Sequence, residues 1–187
     1  MLAAAPSPPP ALPSPSPLLR RRADADWPAL LDLWVDSWRA TYPDIDFDAR
    51  RGWLTRQVER LEADGAMTLC LFAGEPAEIA GFVVIDPQTG WLDQICVAPG
   101  HMGDGCGARL MAAARAVSPG VVRLDVNADN MRAIRFYERA GFTQVGRGAN
   151  TLSGRATVMM EWRAADQDVS LIRLSPGASP GIQTKSE

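Results

Sequence analysis

Histidine and cysteine are scarce in this sequence. The 187 residues hold one histidine, His101, and three cysteines, Cys70, Cys96 and Cys106. The cysteines lie far apart and form no C-x-x-C pair, so neither a disulfide framework nor a zinc site is expected. That usage fits a reducing, cytoplasmic compartment. Any triad built on histidine would have to use His101. A formal net charge of −3 leaves no nucleic-acid footprint in the total. No apolar run reaches the roughly 18 residues that a membrane span needs. Nucleotide fingerprints are missing too. Gly103-Asp104-Gly105-Cys106-Gly107-Ala108 is not G-x-G-x-x-G, and no Lys-Ser/Thr pair follows it to make a P-loop.

What is present divides into three parts. Residues 1–17 carry seven of the fifteen prolines and almost nothing but Met, Leu, Ala, Pro and Ser. Such a segment builds no core and is expected to be an extended or disordered tail. Its prolines interrupt any apolar stretch and the arginines follow it, which is the wrong order for a signal peptide. Residues 18–163 read as one domain, long enough for a core of its own. Residues 164–187 read as a polar tail, with one edge strand available at 169–174.

Within the domain, residues 18–22 read as a strand. Asp24 or Asp26 can cap a helix that holds Pro28 in its first turn. Leu30, Leu31, Trp34 and Trp38 recur at helical spacing, and Pro43 stops the helix. Asp44, Asp46 and Asp48 make an acidic connector. A second helix over 47–63 turns Trp53, Leu54, Val58 and Leu61 inward, with Gly65 after its end. Three strands follow, at 67–73, 78–86 and 91–97, with turns at Gly74-Glu75-Pro76 and Pro87-Gln88-Thr89-Gly90. Short connections make them an antiparallel meander. A helix over 107–117, a strand over 121–126, a helix over 131–140 and strands at 142–145 and 156–162 complete the domain. The β-α-β crossover demands a parallel pair inside a mixed sheet.

The stretch that organises the domain is Trp91 to Met111, WLDQICVAPGHMGDGCGARLM. A strand, a glycine-rich turn and a helix start make a phosphate site. Glycine lets a diphosphate approach the backbone, and the first N–H groups of the helix have no internal partner.

This stretch, followed after one strand by NMRAIRFYERAGF, resembles the GNAT superfamily of acetyl-CoA-dependent N-acetyltransferases, and the resemblance covers roughly residues 18–163. It implies an α/β (α+β) GNAT fold. That means a mixed, mostly antiparallel central sheet of six or seven strands, about four flanking helices and a parallel pair at the coenzyme site. It implies an enzyme that transfers an acetyl group from acetyl-CoA to a primary amine, a small molecule or a protein N-terminus, within a ternary complex. Acetyl-CoA would be the co-substrate, with no metal, no membrane and no nucleic acid, and a homodimer is compatible with it.

Residue by residue, the resemblance puts the diphosphate on the backbone of Met102, Gly103, Asp104, Gly105, Cys106, Gly107 and Ala108. It puts the pantetheine arm along Ile95, Cys96 and Val97 as a pseudo-strand, with the Ile95 amide facing the thioester oxygen. Tyr137 matches the tyrosine beside the coenzyme sulfur, and Asn130 the asparagine that precedes it. Their alternatives are a packed core tyrosine and a plain helix N-cap. Two positions depart from the family pattern. Met102 stands where Gln or Arg is usual, and Asp104 where a basic residue is common. They keep a second reading open, a coenzyme-binding or scaffold module without turnover.

Deprotonating the amine needs a base. Asp93 is the candidate. Alternation places it on one strand face with Trp91 and Ile95, with Gln94 facing the other way. A solvated strand residue is the alternative, and Asp125 lies on the neighbouring strand. The acidic connector near Tyr42 would favour a cationic acceptor, unless it is only a solvated charge run.

Overall fold

A computed structural model describes residues 18–118, 120–150 and 153–164. The expectations for residues 1–17 and for the tail beyond 164 lie outside the described residues.

Eleven regular elements follow in order: β1 (Leu18–Arg21), α1 (Trp27–Thr41), α2 (Arg51–Ala63), β2 (Met67–Ala73), β3 (Glu78–Ile85), β4 (Leu92–Val97), α3 (Cys106–Val117), β5 (Val121–Asn127), α4 (Met131–Arg139), β6 (Thr143–Ala149) and β7 (Ala156–Arg163). Single 3₁₀ turns lie before α1, α2 and α3. The strands form two antiparallel sheets, β1-β2-β3-β4 and β5-β7-β6.

The α/β class, the four helices and the seven strands agree with expectation. The parallel pair is the point of difference. Between β4 and β5 it shrinks to one bridge, Trp91 to Arg123, so the sheet splits there into a wedge. Gly90 makes the pivot. Its carbonyl accepts from Arg123 N–H at 2.8 Å. Its φ is +74°, and a Cβ there would strike the Val121 carbonyl, so only glycine fits.

Two apolar layers cover the sheets. On one side α1 and α2 pack Leu30, Trp34, Leu54 and Val58 against Cys70, Phe82, Val84 and Cys96. On the other, α3 and α4 pack Leu110, Met111, Ile134 and Tyr137 against Val83, Ile85, Leu124 and Met160. Leu30, Leu54 and Phe82 are completely buried, each stabilising by about 1.5–3 kcal/mol. β3 contributes to both layers because successive side chains point to opposite faces.

Some boundaries moved for physical reasons. α2 starts at Arg51 because Asp48–Arg50 form a 3₁₀ turn, with Asp46 Oδ1 accepting from Ala49 N–H at 3.1 Å. Asp26 precedes α1 without capping it. Its carboxylate turns back to the Ala23 N–H at 2.6 Å and to Arg20 at 2.6 and 2.9 Å. Beside that guanidinium its pKa is lowered. β6 runs on through Gly146 and Gly148, with a bulge near Val145. It therefore extends past the strand expected at 142–145.

Candidate active site

The wedge between β4 and β5 opens into a cleft of about 730 Å³ that also reaches α1, α2, α4 and the glycine loop. Its first wall is the edge of β4. The Ala98 N–H donates to the Ala80 carbonyl at 2.9 Å, and the register sets Cys96 opposite Phe82 and Gln94 opposite Val84. Hydrogen-bonded and free pairs alternate along an antiparallel ladder. Ala98, Cys96 and Gln94 therefore bond towards β3, while Ile95 and Val97 turn their N–H and C=O into the wedge. Cys96 lines the cleft, but its backbone is turned to β3 and its thiol is buried.

The second wall is the glycine loop. α3 begins at Cys106 rather than Gly107, with Gly105 as N-cap at φ +81°. Met102 and Asp104 use their N–H groups on Pro99 and His101 carbonyls at 3.3 and 3.4 Å. The N–H groups of Gly103, Gly105, Gly107 and Ala108 have no such partner among the described residues. Nothing lies within 4 Å of a Cβ built at Gly103 or Gly105. At Gly107 a Cβ would press on Phe136 at 3.2 Å, so that glycine serves helix packing. Met102 lines the cleft, whereas Asp104 and Cys106 do not. Asp104 is 63% exposed and lies 3.6 Å from His101 Nδ1. Cys106 is in the core.

α4 supplies the third wall. Asn130 caps it, its Oδ1 accepting from Ala133 N–H at 3.1 Å, and also lines the cleft. Tyr137 reaches the cleft from the core with 7% of its surface exposed. It packs edge-on to Phe136 and tilted against Phe142. Burial, followed by the neighbouring Cys96, raises its pKa above the ordinary phenol value. The hydroxyl therefore stays protonated at neutral pH. Arg132 and Arg139, two turns apart on α4, also line the cleft. Neither has an ion-pair partner among the described residues.

The far end differs from expectation at Asp93. The β3–β4 register jumps from Val84–Gln94 to Ile85–Leu92, which leaves Asp93 as the extra residue of a bulge. Alternation fails there. Asp93 does not share a face with Ile95 and turned against Gln94. Instead it accepts from Gln57 of α2 and from Gln94 itself, both at 3.1 Å. Trp38, Trp53, Asn127 and Thr157 complete this end. The buried Thr157 hydroxyl has no hydrogen-bond partner among the described residues. Asp125, an exposed residue of β5, also lines the cleft, and desolvation raises its pKa.

Sequence reasoning missed Gln57, Thr157, Arg132 and Arg139. Only the two arginines had a signal, one helix face shared with Phe136. The acidic connector does not line the cleft. Asp48 is held by Arg39 at 2.5 Å and Arg51 at 2.9 Å, so that carboxylate belongs to an exposed ion-pair network. Burial pushes the Cys70 and Cys96 thiols up to about 12, which leaves no thiolate there to act as a nucleophile. Among the described residues, no group of His, Cys, Asp and Glu could hold a metal. None of their helices is long and apolar enough to cross a membrane.

A search of the curated proteins finds no match to this sequence. Solved structures share the fold. PaiA N-acetyltransferase from Thermoplasma acidophilum, in complex with coenzyme A, superposes with a TM-score of 0.64 at 19% identity, over 80% of this chain and 99% of that one. Apo YjaB from Escherichia coli gives 0.62 at 22% identity, over 80% and 99%. A ribosomal-protein-alanine N-acetyltransferase from Brucella melitensis gives 0.55 at 23%, over 79% and 99%. The family model for the acetyltransferase (GNAT) family matches residues 27–142, and this chain, with its wedge, glycine loop and capped α4, belongs to that family.

Proposed function

We propose that this protein transfers the acetyl group of acetyl-CoA to a primary amine by direct attack, with both substrates bound at once. The observation that carries this reading is the free edge of β4. Ile95 and Val97 aim their peptide groups into a cleft that continues to a loop of unpartnered amides. An extended chain of amides ending in a diphosphate matches that wall from end to end. A protein of the same fold was solved with coenzyme A.

The residues fit the coenzyme in three places. Amides of Gly103, Gly105, Gly107 and Ala108, at the positive end of α3, would hold the diphosphate. Ile95 and Val97 would pair with the pantetheine amides as an added strand. The Ile95 N–H would donate to the thioester oxygen as it gains charge. Thr157 and Trp53 lie on the acceptor side.

Asp93 takes the amine's proton, directly or through one water. The bulge turns it to the acceptor end, and two amide donors fix its carboxylate. Tyr137 donates to the departing thiolate. Burial disfavours its phenolate, so the donation is a hydrogen bond that solvent protons complete. Burial of Cys70 and Cys96, which raises both thiols, favours direct attack over an acetyl-cysteine intermediate. The reading without turnover leaned on Met102 and Asp104, and Asp104 stands outside the cleft. Incubating the protein with acetyl-CoA and a panel of primary amines, and following free thiol, tests the proposal. Tight coenzyme binding by calorimetry with no thiol release from any amine would return the protein to a binding module.

A further inference from the structure

Past Trp38 and Trp53 the acceptor end folds into a recess of about 80 Å³. Trp34, Trp38, Tyr42, Phe47 and Trp53 line it. They brace one another: Trp34 meets Phe47 edge-on at 5.5 Å, and Trp38 stacks on Tyr42 at 5.9 Å. The charged side chains of the recess are Arg50 and Arg155, and no carboxylate lines it among the described residues. Arg155 is matched, with Asp129 at 2.5 Å and the Tyr42 ring at 4.5 Å. Arg50 is not. It is half-buried, its guanidinium lies 5.4 Å from the centre of the Phe47 ring, and that guanidinium has no hydrogen bond or ion pair among the described residues. The recess shares Trp38, Trp53, Gln94 and Asn127 with the main cleft, and the two carboxylates Asp93 and Asp125 line the latter.

Resting on the acetyl-transfer reading, we infer that the acceptor is an amine that carries a carboxylate at its far end, joined through a flat apolar body. The ammonium end faces Asp93 and Asp125. The body lies against the indoles of Trp38 and Trp53. The carboxylate enters the recess and meets Arg50, whose planar fork suits it. Charge decides the anion: the recess carries Arg50 and Arg155 and no carboxylate among the described residues, and its volume of about 80 Å³ leaves room for a small end group. Sign decides against a dication, since a second ammonium would meet an unmatched guanidinium.

Three amines of one shape test this: 4-(aminomethyl)benzoate, 4-(aminomethyl)benzamide and 1,4-bis(aminomethyl)benzene. With acetyl-CoA, thiol release should give kcat/KM about tenfold higher for the benzoate than for the benzamide, the worth of one hydrogen bond to a charged group. The diamine should be poorest. The advantage should sit in KM and shrink with added salt. Arg50→Gln should collapse the benzoate-to-benzamide ratio towards one, and Arg50→Lys should restore part of it. A ratio near one in the wild type, a preference for the diamine, or a ratio that survives Arg50→Gln overturns the inference. If none of the three is turned over, the wider amine panel still tests the acetyl-transfer reading, and calorimetry with coenzyme A present decides the anion. Benzoate binding tighter than benzamide, and losing that margin in Arg50→Gln, keeps the inference; equal binding, or none, overturns it.

Discussion

At the loop end of the cleft, the wall is largely backbone: the peptide groups of Gly103, Gly105, Gly107 and Ala108 and of the β4 edge. At the other end they are indoles, amides, carboxylates, a hydroxyl and a guanidinium, carried by α1, α2 and the turn before it, β4, β5 and β7. The first end needs only that side chains stay out of the way, so glycine and strand register define it. The second needs particular side chains brought together from distant parts of the chain. A coenzyme that never changes suits the first construction. An acceptor that differs from protein to protein suits the second.

The sharpest way to break the comparison is to put a side chain where the loop end has none. Gly105→Glu adds both bulk and negative charge in open space. Thermal stabilisation by acetyl-CoA should vanish. The melting temperature alone should drop modestly, because a residue at φ +81° costs about 1–2 kcal/mol. Gly103→Glu, also open, should behave alike. Undiminished stabilisation by acetyl-CoA in both variants would mean that the diphosphate binds elsewhere.

The difference between the two ends also explains what was legible. The glycine loop and the Asn130–Phe142 helix could be read because backbone geometry demands those residue types. Gly90 shows the limit: it read as a turn, but nothing local says that it pins two sheets together. The bulge at Asp93 carries no glycine or proline, so strict alternation placed the carboxylate on the wrong face. The connector aspartates looked like a cationic-substrate signal because sequence does not show that Arg39 and Arg51 already hold Asp48. Gln57 and Thr157 were invisible since their meaning comes only from what the fold brings near them.

Tyr137 stands where the two ends meet. Tyr137→Phe keeps the ring in its packed place and removes the hydroxyl. Turnover should fall by roughly 10²-fold, the low end for a group that donates a proton. kcat and kcat/KM should fall together, since the bond forms only in the transition state. Coenzyme affinity should stay near wild type. Steady-state kinetics on any working amine reads this. Full activity would make Tyr137 a core residue alone.

The two carboxylates at the acceptor end should separate. Asp93→Asn should lower kcat/KM by about tenfold or more, leaving coenzyme affinity intact. Asp125→Asn should act mainly on stability. Its folded-state pKa is raised by desolvation, so the charged form carries a penalty. Below about pH 4 the carboxyl is protonated in both states, and the substitution should then change nothing. As pH climbs through the folded-state pKa the penalty grows, and at neutrality the variant should melt higher. Because Asp125 is exposed, water screens it and the gain should stay under about 1 kcal/mol. Melting curves at pH 3.5 and pH 7 check the sign. A larger kinetic loss in Asp125→Asn than in Asp93→Asn would exchange their roles.

The smallest effect concerns Asp104, the residue whose charge looked most hostile to a diphosphate. Its side chain is 63% exposed, pairs loosely with His101 at 3.6 Å and does not line the cleft. Only its N–H belongs to the loop turn, and that is already bonded to the His101 carbonyl. Asp104→Arg should therefore tighten coenzyme binding only through long-range attraction, by a few tenths of a kcal/mol for a solvated charge. Most of that gain should disappear between 0.01 and 0.15 M salt, as the screening length falls from about 30 to 8 Å. Calorimetry at the two ionic strengths measures it. A tenfold gain that survives the higher salt would place the new guanidinium on the diphosphate itself. The loop end would then bind through side chains as well as backbone, and the contrast between the two ends would weaken.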